Sequence, residues 1–240
     1  MTHLSVQEAA DSLGVHPSRV RSLLSAGQLA GRRIGSVWVV NTAALERRRA
    51  AVAGMRGRSL STRVSWAAGA LLDGQATPWL KSSERSRLRT RLSHHDQEEA
   101  QIFRWWLQSR ASMTRFRISK TDITELLSNQ DVVMGGISGA SAYSAGIGHG
   151  TEAEIYVTHT KARQLVDEFF LLEDPQGNLV IHKVDDTEQW HLVTARTIEG
   201  VSVTPRLVVA VDLLESEDTR SRTAGATLLR RTLADTYEHR

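Results

Sequence analysis

Two groups of residues in the 240-residue chain are of types that could do chemistry. The first is a set of arginines near the front. Arg19 and Arg21 stand beside Ser18 and Ser22 in the run PSRVRSLLS, Arg32 and Arg33 are adjacent, and Arg47 opens a triple with Arg48 and Arg49. A guanidinium fork donates two parallel hydrogen bonds to a phosphate or a guanine edge, so this set points to nucleic acid. A further series, Arg85, Arg87, Arg89 and Arg91, alternates strictly and could grip more phosphates. The second group is Gly135-Gly136 followed by Glu152 and Glu154. A glycine-rich turn can cradle a triphosphate while alternate carboxylates on a strand hold Mg²⁺. Positions two apart on a strand point the same way, so both glutamates would face one ion if both lie in the strand.

Charge is unevenly spread. Residues 1–64 hold 10 Lys/Arg against 3 Asp/Glu, residues 65–110 hold 7 against 5, and residues 111–240 hold 13 against 19, within a net charge of +3. All ten front cations are arginines. A basic front on an acidic body is expected when one end meets a phosphate backbone. Hydrophobic residues at 40% and charged residues at 24% are those of a globular protein. The absence of cysteine excludes disulfides, thiol nucleophiles and thiolate-ligated zinc. His94-His95 are adjacent and His149, His159, His182 and His191 are scattered, without metal-ligand spacing. Gly136-Ile137-Ser138-Gly139 lacks the spacing of a nucleophile elbow. No catalytic residue, metal or cofactor is therefore expected. MTHLSVQEAADS has neither the basic nor the apolar region of a signal peptide, and no apolar run approaches the ~18 residues that span a bilayer. A cytoplasmic location with no membrane contact is expected.

The front arginines need elements to aim them. Val6, Ala9, Ala10 and Leu13 fall on one helical stripe, with Ser5 and Glu8 spaced as a capping box. Gly14-Val15 makes a turn, and His16-Pro17 opens a second helix over 17–26 that Gly27 stops. Its Val20, Leu23 and Leu24 face inward, leaving Ser18, Arg19, Arg21 and Ser22 outward, as on a helix that reads base edges. Gly35-Ser36 between β-formers predicts a hairpin wing with Arg32 and Arg33 at its base, and Thr42 caps a third helix over Ala43–Ala53 carrying Arg47. The run LSVQEAADSLGVHPSRVRSLLSAGQLAGRRIGSVWVVNTAALE resembles the excisionase and MerR-like winged helix-turn-helix family, departing from it at His16, where that family has a Ser or Thr cap. Small helical hairpins also serve as protein-docking modules, so that alternative stays open.

Residues 54–62 read as a linker. Helices are predicted over Ser65–Leu72, Ser83–Leu92 with a narrow Leu88–Leu92 seam, and Asp96–Gln108, where Trp105 and Trp106 belong to a core. Beyond Met113 short β-like runs alternate with helices. Strands are predicted over Thr114–Ile118, Glu154–Thr158 and Leu179–Val184. Helices are predicted over Thr121–Leu127, Lys161–Glu168 and Thr219–Tyr237, the first capped by Thr121. Leu207–Leu214 fits a buried strand or a helix equally. The fold expected is α+β, in three parts: a winged helix-turn-helix over 1–55, a basic helical connector over 56–110 and an α+β domain over 111–240.

Gly135-Gly136 with Glu152 and Glu154 loosely follows a nucleotidyltransferase layout. It departs from it in having glutamates for aspartates, Ile137 after the glycines, and no evident third carboxylate on a later strand. GISGASAYSAGI (136–147), EAEIYV (152–157), NLVIHKV (178–184) and VVAVDLLESEDTRSRTAGATLL (208–229) resemble the actinobacterial, AbiEi-like antitoxins of type IV toxin–antitoxin systems. That resemblance implies an autoregulating, sequence-specific repressor. The implied partners are double-stranded DNA of its own promoter and a nucleotidyltransferase toxin. Helices of the kind predicted in the middle segment often build a dimer, so a homo-oligomer is a further expectation. An excisionase-like recombination accessory and a nucleotidyltransferase are the alternatives. The DNA-contacting residues expected are Ser18, Arg19, Arg21, Ser22, Arg32, Arg33, Arg47, Arg85 and Arg89.

Overall fold

Ser5 and Glu8 cap α1 (Val6–Leu13) reciprocally. The Glu8 amide donates to Ser5 Oγ at 3.2 Å and the Ser5 amide to Glu8 Oε2 at 2.7 Å. α2 (Pro17–Ser25) begins with proline at its first position, where no amide partner is lost. Its cap is His16, whose Nδ1 accepts the Ser18 amide at 3.3 Å. The imidazole thus does the work of the expected hydroxyl. Val6, Ala9 and Ala10 pack with Val20, Leu23, Leu24, Leu29, Val40 and Leu45 in a small core, each large aliphatic contributing about 1.5–3 kcal/mol. β1 (His3–Ser5), β2 (Gly31–Ile34) and β3 (Val37–Asn41) form an antiparallel sheet in the order β1-β3-β2. The β2–β3 hairpin turns with Gly35 at φ +62°, and Gly31 is held glycine because a Cβ would stand 2.6 Å from the Val39 carbonyl.

The computed structural model describes residues 3–13, 15–25, 29, 31–35, 37–42, 45, 59–93, 100–185, 193 and 196–238. They belong to two compact units, Met1–Gly57 and Arg58–Arg240. Gly14, Gly27 and Ser36, expected in turns, lie outside the described residues, as does the predicted helix over Ala43–Ala53, Arg47 included, except at Leu45.

The second unit is built on a seven-stranded mixed sheet. Its strands are β4 (Ser112–Arg117), β5 (Val133–Met134), β6 (Ala153–Thr158), β7 (Leu172–Glu173), β8 (Leu179–Val184), β9 (Arg196–Ile198) and β10 (Val201–Val203), in the order β7-β4-β8-β6-β5-β10-β9. β6 runs parallel to β8 and antiparallel to β5. Side chains alternate across the sheet. Ile155, Val157, Leu179 and Ile181 meet α6 (Lys120–Ser128) and α8 (His159–Glu168) through Ile123, Leu126, Ala162 and Leu165. Tyr156 and Val184 face the other way, into a larger core. That core is completed by α3 (Thr62–Leu72), α4 (Ser82–Ser93), α5 (Ala100–Leu107), α9 (Arg206–Glu215) and α10 (Thr219–Glu238). A short helix α7 (Gly136–Gly139) and a 3₁₀ turn (Ser141–Tyr143) follow β5.

Several sequence expectations shift. Leu88, Leu92, Ile102, Phe103 and Trp106 share a core with Val208 and Leu228, so the stretch expected as a connector is part of the second unit. Leu207–Leu214 lies in a helix, α9, whose eight residues from Leu207 to Leu214 are all buried. A helix buried all round shows no amphipathic period, which is why the pattern could not choose. α6 is capped by Ser119, which accepts the Asp122 amide at 3.2 Å, and not by Thr121. The β9–β10 hairpin was not anticipated. Its turn has Glu199 at φ +52° and Gly200 at φ +83°, the two positive values of a type I′ turn, reached here by Glu-Gly where Asn-Gly or Asp-Gly is the usual signal.

Candidate nucleic-acid interface and a buried polar cluster

On α2, Val20, Leu23 and Leu24 are buried while Ser18, Arg19, Arg21 and Ser22 are exposed. One face of the helix is thus committed to the core and the other presents two guanidinium groups and two hydroxyls. The Ser18 hydroxyl lies 2.8 Å from His16 Nδ1, so it is tied to the cap while remaining at the surface. Arg32 and Arg33 are exposed on β2, opposite Val39 and Trp38.

The α4 arginines divide differently. Arg85 donates to Thr77 Oγ1 at 3.2 Å and to the carbonyls of Thr77 and Leu80 at 3.3 and 3.1 Å, so it secures the loop before its own helix. Arg91 covers the Trp106 ring at 4.3 Å, a cation–π contact. Arg87 donates to the Ser83 carbonyl at 3.2 Å. Arg89 is exposed.

A second constellation was not anticipated as a set. Arg110 is 3% exposed. Its Nε donates to Tyr156 Oη at 2.8 Å and its Nη2 to Asp212 Oδ1 at 2.7 Å and Glu215 Oε2 at 2.5 Å. The Tyr156 hydroxyl donates to Asp212 Oδ1 at 2.8 Å. In register with Tyr156 on the neighbouring strand is His182, its ring stacked on the tyrosine at 4.3 Å and its Nε2 2.7 Å from Glu154 Oε1. Burial pushes the Asp212 carboxyl up from the ordinary range, Arg110 opposes that, and Glu154 adds to it. Burial likewise raises the Tyr156 hydroxyl. A cavity of about 510 Å³ opens onto Glu154, His182, Asp212 and Glu215, with Arg104 and Arg115 at its wall.

The glycine–glutamate layout is corrected by this geometry. Glu152 precedes β6 and is exposed; it lines the same cavity as Glu154 but is not among the residues whose donor atoms converge there. The amides after the glycines are taken by the protein's own carboxylates. Gly136 N–H donates to Asp212 Oδ2 at 2.9 Å, and Ile137 N–H points at Glu154 Oε2 at 3.4 Å. Gly136 sits at φ +35°, and a Cβ there would overlap the Glu154 carboxylate. The glycine pair therefore lets two carboxylates close on the turn that would otherwise cradle a phosphate. The third position of the layout, on the strand beside β6, carries His182 and no carboxylate.

Residues 98–234 match the model of a family described as transcriptional regulators, AbiEi antitoxins of type IV toxin–antitoxin systems. The chain belongs to this family. Residues 4–51 match a helix-turn-helix domain family. No curated protein and no solved structure matches the chain. The AbiEi match covers the sheet of the second unit with the Arg110–Asp212 and Glu154–His182 pairs, while the DNA-binding signature is confined to the first unit. Among the described residues no helix is long and apolar enough to cross a membrane.

The residues that sequence reasoning missed, Arg110, Tyr156, Asp212 and Glu215, share one available signal. Asp212 is the single charge inside LVVAVDLL, and a charge inside an apolar run must find a partner if the run is buried.

Proposed function

We propose that this AbiEi-family regulator is a cytoplasmic, sequence-specific repressor of its own operon. α2 enters the major groove, with Arg19 and Arg21 on base edges and Ser18 and Ser22 on edges or backbone. Arg32 and Arg33 of the hairpin contact the flanking phosphates, with Arg47 and the exposed Arg89 adding backbone contact. Arg85, engaged by its own loop, contributes to the fold and not to DNA. The observation that carries this reading is the division of α2 into a buried Val20–Leu23–Leu24 face and an exposed Ser18–Arg19–Arg21–Ser22 face. The cognate toxin is proposed to be a nucleotidyltransferase encoded beside it, and the chain to act as a homo-oligomer.

A salt-titrated gel shift tests the DNA reading, using full-length protein, the double variant Arg19→Ala/Arg21→Ala, the protein's own upstream DNA and a scrambled duplex. A discrete shifted species on the upstream DNA, lost in the double variant, is expected. Equal affinity for both duplexes would remove the repressor reading. A preference for phage attachment DNA, with bending, would favour the excisionase-like alternative.

A further inference from the structure

Around Asp212 the charges do not balance. Arg110 is the cation hydrogen-bonded to Asp212 and Glu215, and Glu154 contacts His182. Arg104 and Arg115 stand at the cavity wall, bonded to Gln101 Oε1 and the Gly177 carbonyl and not to these carboxylates. Glu215, a third exposed, pairs with Arg110 at 2.5 Å. Glu154 and Asp212 are left close together on either side of Gly136, each accepting one amide of the same turn. Two carboxylates held together away from bulk water are costly unless positive charge joins them.

One donor atom each from Glu154, His182 and Asp212 lies within 4.8 Å of the others, and the cavity reaches all three side chains. They come from β6, β8 and α9, so tertiary packing and not a short loop brings them together. Two of the three are also oriented from behind. Tyr156 and Arg110 hold Asp212 by Oδ1, and the Tyr156 ring holds His182 by stacking. Metal ligands are normally fixed in this way by a second ring of partners. One imidazole nitrogen with two carboxylates is a donor set of intermediate softness, suited to zinc or manganese.

We propose that Glu154, His182 and Asp212 form a binding site for one divalent transition-metal ion, zinc or manganese. The ion replaces the contact between His182 Nε2 and Glu154 Oε1, now 2.7 Å apart. It takes one oxygen of each carboxylate and the imidazole nitrogen at about 2.0–2.2 Å, with water from the cavity completing its shell. Bound there, it ties two strands of the sheet to α9.

The test uses tag-free, full-length protein stripped with a chelator and titrated with zinc chloride or manganese chloride by calorimetry. One ion per chain is expected, with a rise in Tm. Glu154→Gln and His182→Gln should each weaken binding by at least about tenfold, whereas His159→Gln, exposed at the start of α8, should not. Failure of both ions to saturate at one per chain overturns the site. Unchanged affinity in both ligand variants also overturns it, because the ion then sits elsewhere. Should circular dichroism show both variants unfolded, the wild type decides. One equivalent of Mn²⁺ must broaden the His182 ring resonances, and unmoved resonances would refute the assignment.

Discussion

In the first unit Arg19, Arg21, Arg32 and Arg33 stand in solvent, whereas in the second Arg110 is 3% exposed and locked between two carboxylates and a tyrosine. Arg206 follows the second pattern, its Nε 2.9 Å from the fully buried Asp73 carboxylate. The same side chain thus serves recognition where its fork faces outward and architecture where the fork is satisfied internally. The difference lies in the neighbours. α2 spends one face on a small core and leaves Ser18, Arg19, Arg21 and Ser22 exposed on the other, while α5, β6 and α9 supply the carbonyl, hydroxyl and carboxylates that Arg110 bonds. A buried guanidinium is tolerable only with its hydrogen bonds and counter-charges in place, so Arg110 and Asp212 depend on each other.

That dependence sets the largest expected effect. Arg110→Met leaves Asp212 buried without its cation and is expected to cost about 3–5 kcal/mol of stability, read from the denaturant midpoint. Arg110→Met combined with Asp212→Leu should recover much of the loss, since removing both partners of a buried pair is far less costly than removing one. If the single variant loses no more than a surface arginine does, the division between recognition and architecture collapses. Next in size is the converse. Arg19→Ala or Arg21→Ala should each cost about 1–3 kcal/mol of binding at the cognate site, while changing stability by no more than about 0.5 kcal/mol. A gel shift and a denaturation curve on the same preparations check both halves, and a stability loss equal to the binding loss would place these arginines with Arg110.

The two arginine roles were not equally legible in the sequence. The exposed set could be read because α2 is amphipathic: Val20, Leu23 and Leu24 mark the inner face and by elimination the outer one. The Ser5–Glu8 capping box was legible for the same local reason. The Arg110 network was not, because its members are separated by 46 and 102 positions and meet only through the sheet and α9. Periodicity carries no information about such pairings. α9 also hid its own identity, since burial on every side erases the period that would name it a helix. Glu152 and Glu154 show the limit of spacing in the other direction. A pair facing one ion required both to lie in the strand. Both line the cavity, but the strand begins at Ala153 and only Glu154 has a donor atom converging with His182 and Asp212. Arg85, read as a phosphate contact from its place in an alternating series, is engaged by the Thr77–Leu80 loop, which no pattern within its own helix announces.

Capping at α2 is the next smaller effect. His16→Ala removes the acceptor of the Ser18 amide and should weaken the start of the helix by about 0.5–2 kcal/mol. Faster hydrogen exchange at the α2 amides reports this locally, without requiring either unit to unfold. His16→Ser should restore protection, because a serine hydroxyl supplies the same acceptor. Since the imidazole also touches the Ser18 hydroxyl at 2.8 Å, the serine variant frees that hydroxyl, and a changed base preference with unchanged helix protection would show the cap and the reading surface to be coupled.

Arg63 and Glu84 sharpen the comparison from between its extremes. Their Nη2–Oε1 contact is 2.6 Å, yet Arg63 remains 42% exposed and Glu84 26%. Glu84 also accepts the Lys81 amide at 2.9 Å, three residues back, as a glutamate in the first turn of α4 is placed to do. The Arg63 hydrogen bond, followed by that of the Lys81 amide, lowers the Glu84 carboxyl from 4.5 to about 2. A carboxyl more acidic in the folded chain stabilises it above its unfolded value and ceases to do so as pH falls through the folded one. The advantage of wild type over Glu84→Gln should therefore be full at pH 6, shrink below pH 4.5 and vanish near pH 2. Denaturation midpoints at pH 6 and pH 3 measure the change. Water screens a pair this exposed, so the effect at pH 6 should fall below that of losing the His16 cap. A Glu84→Gln penalty at pH 6 comparable with that of Arg110→Met would mean that geometry alone, without burial, makes an arginine structural in this chain.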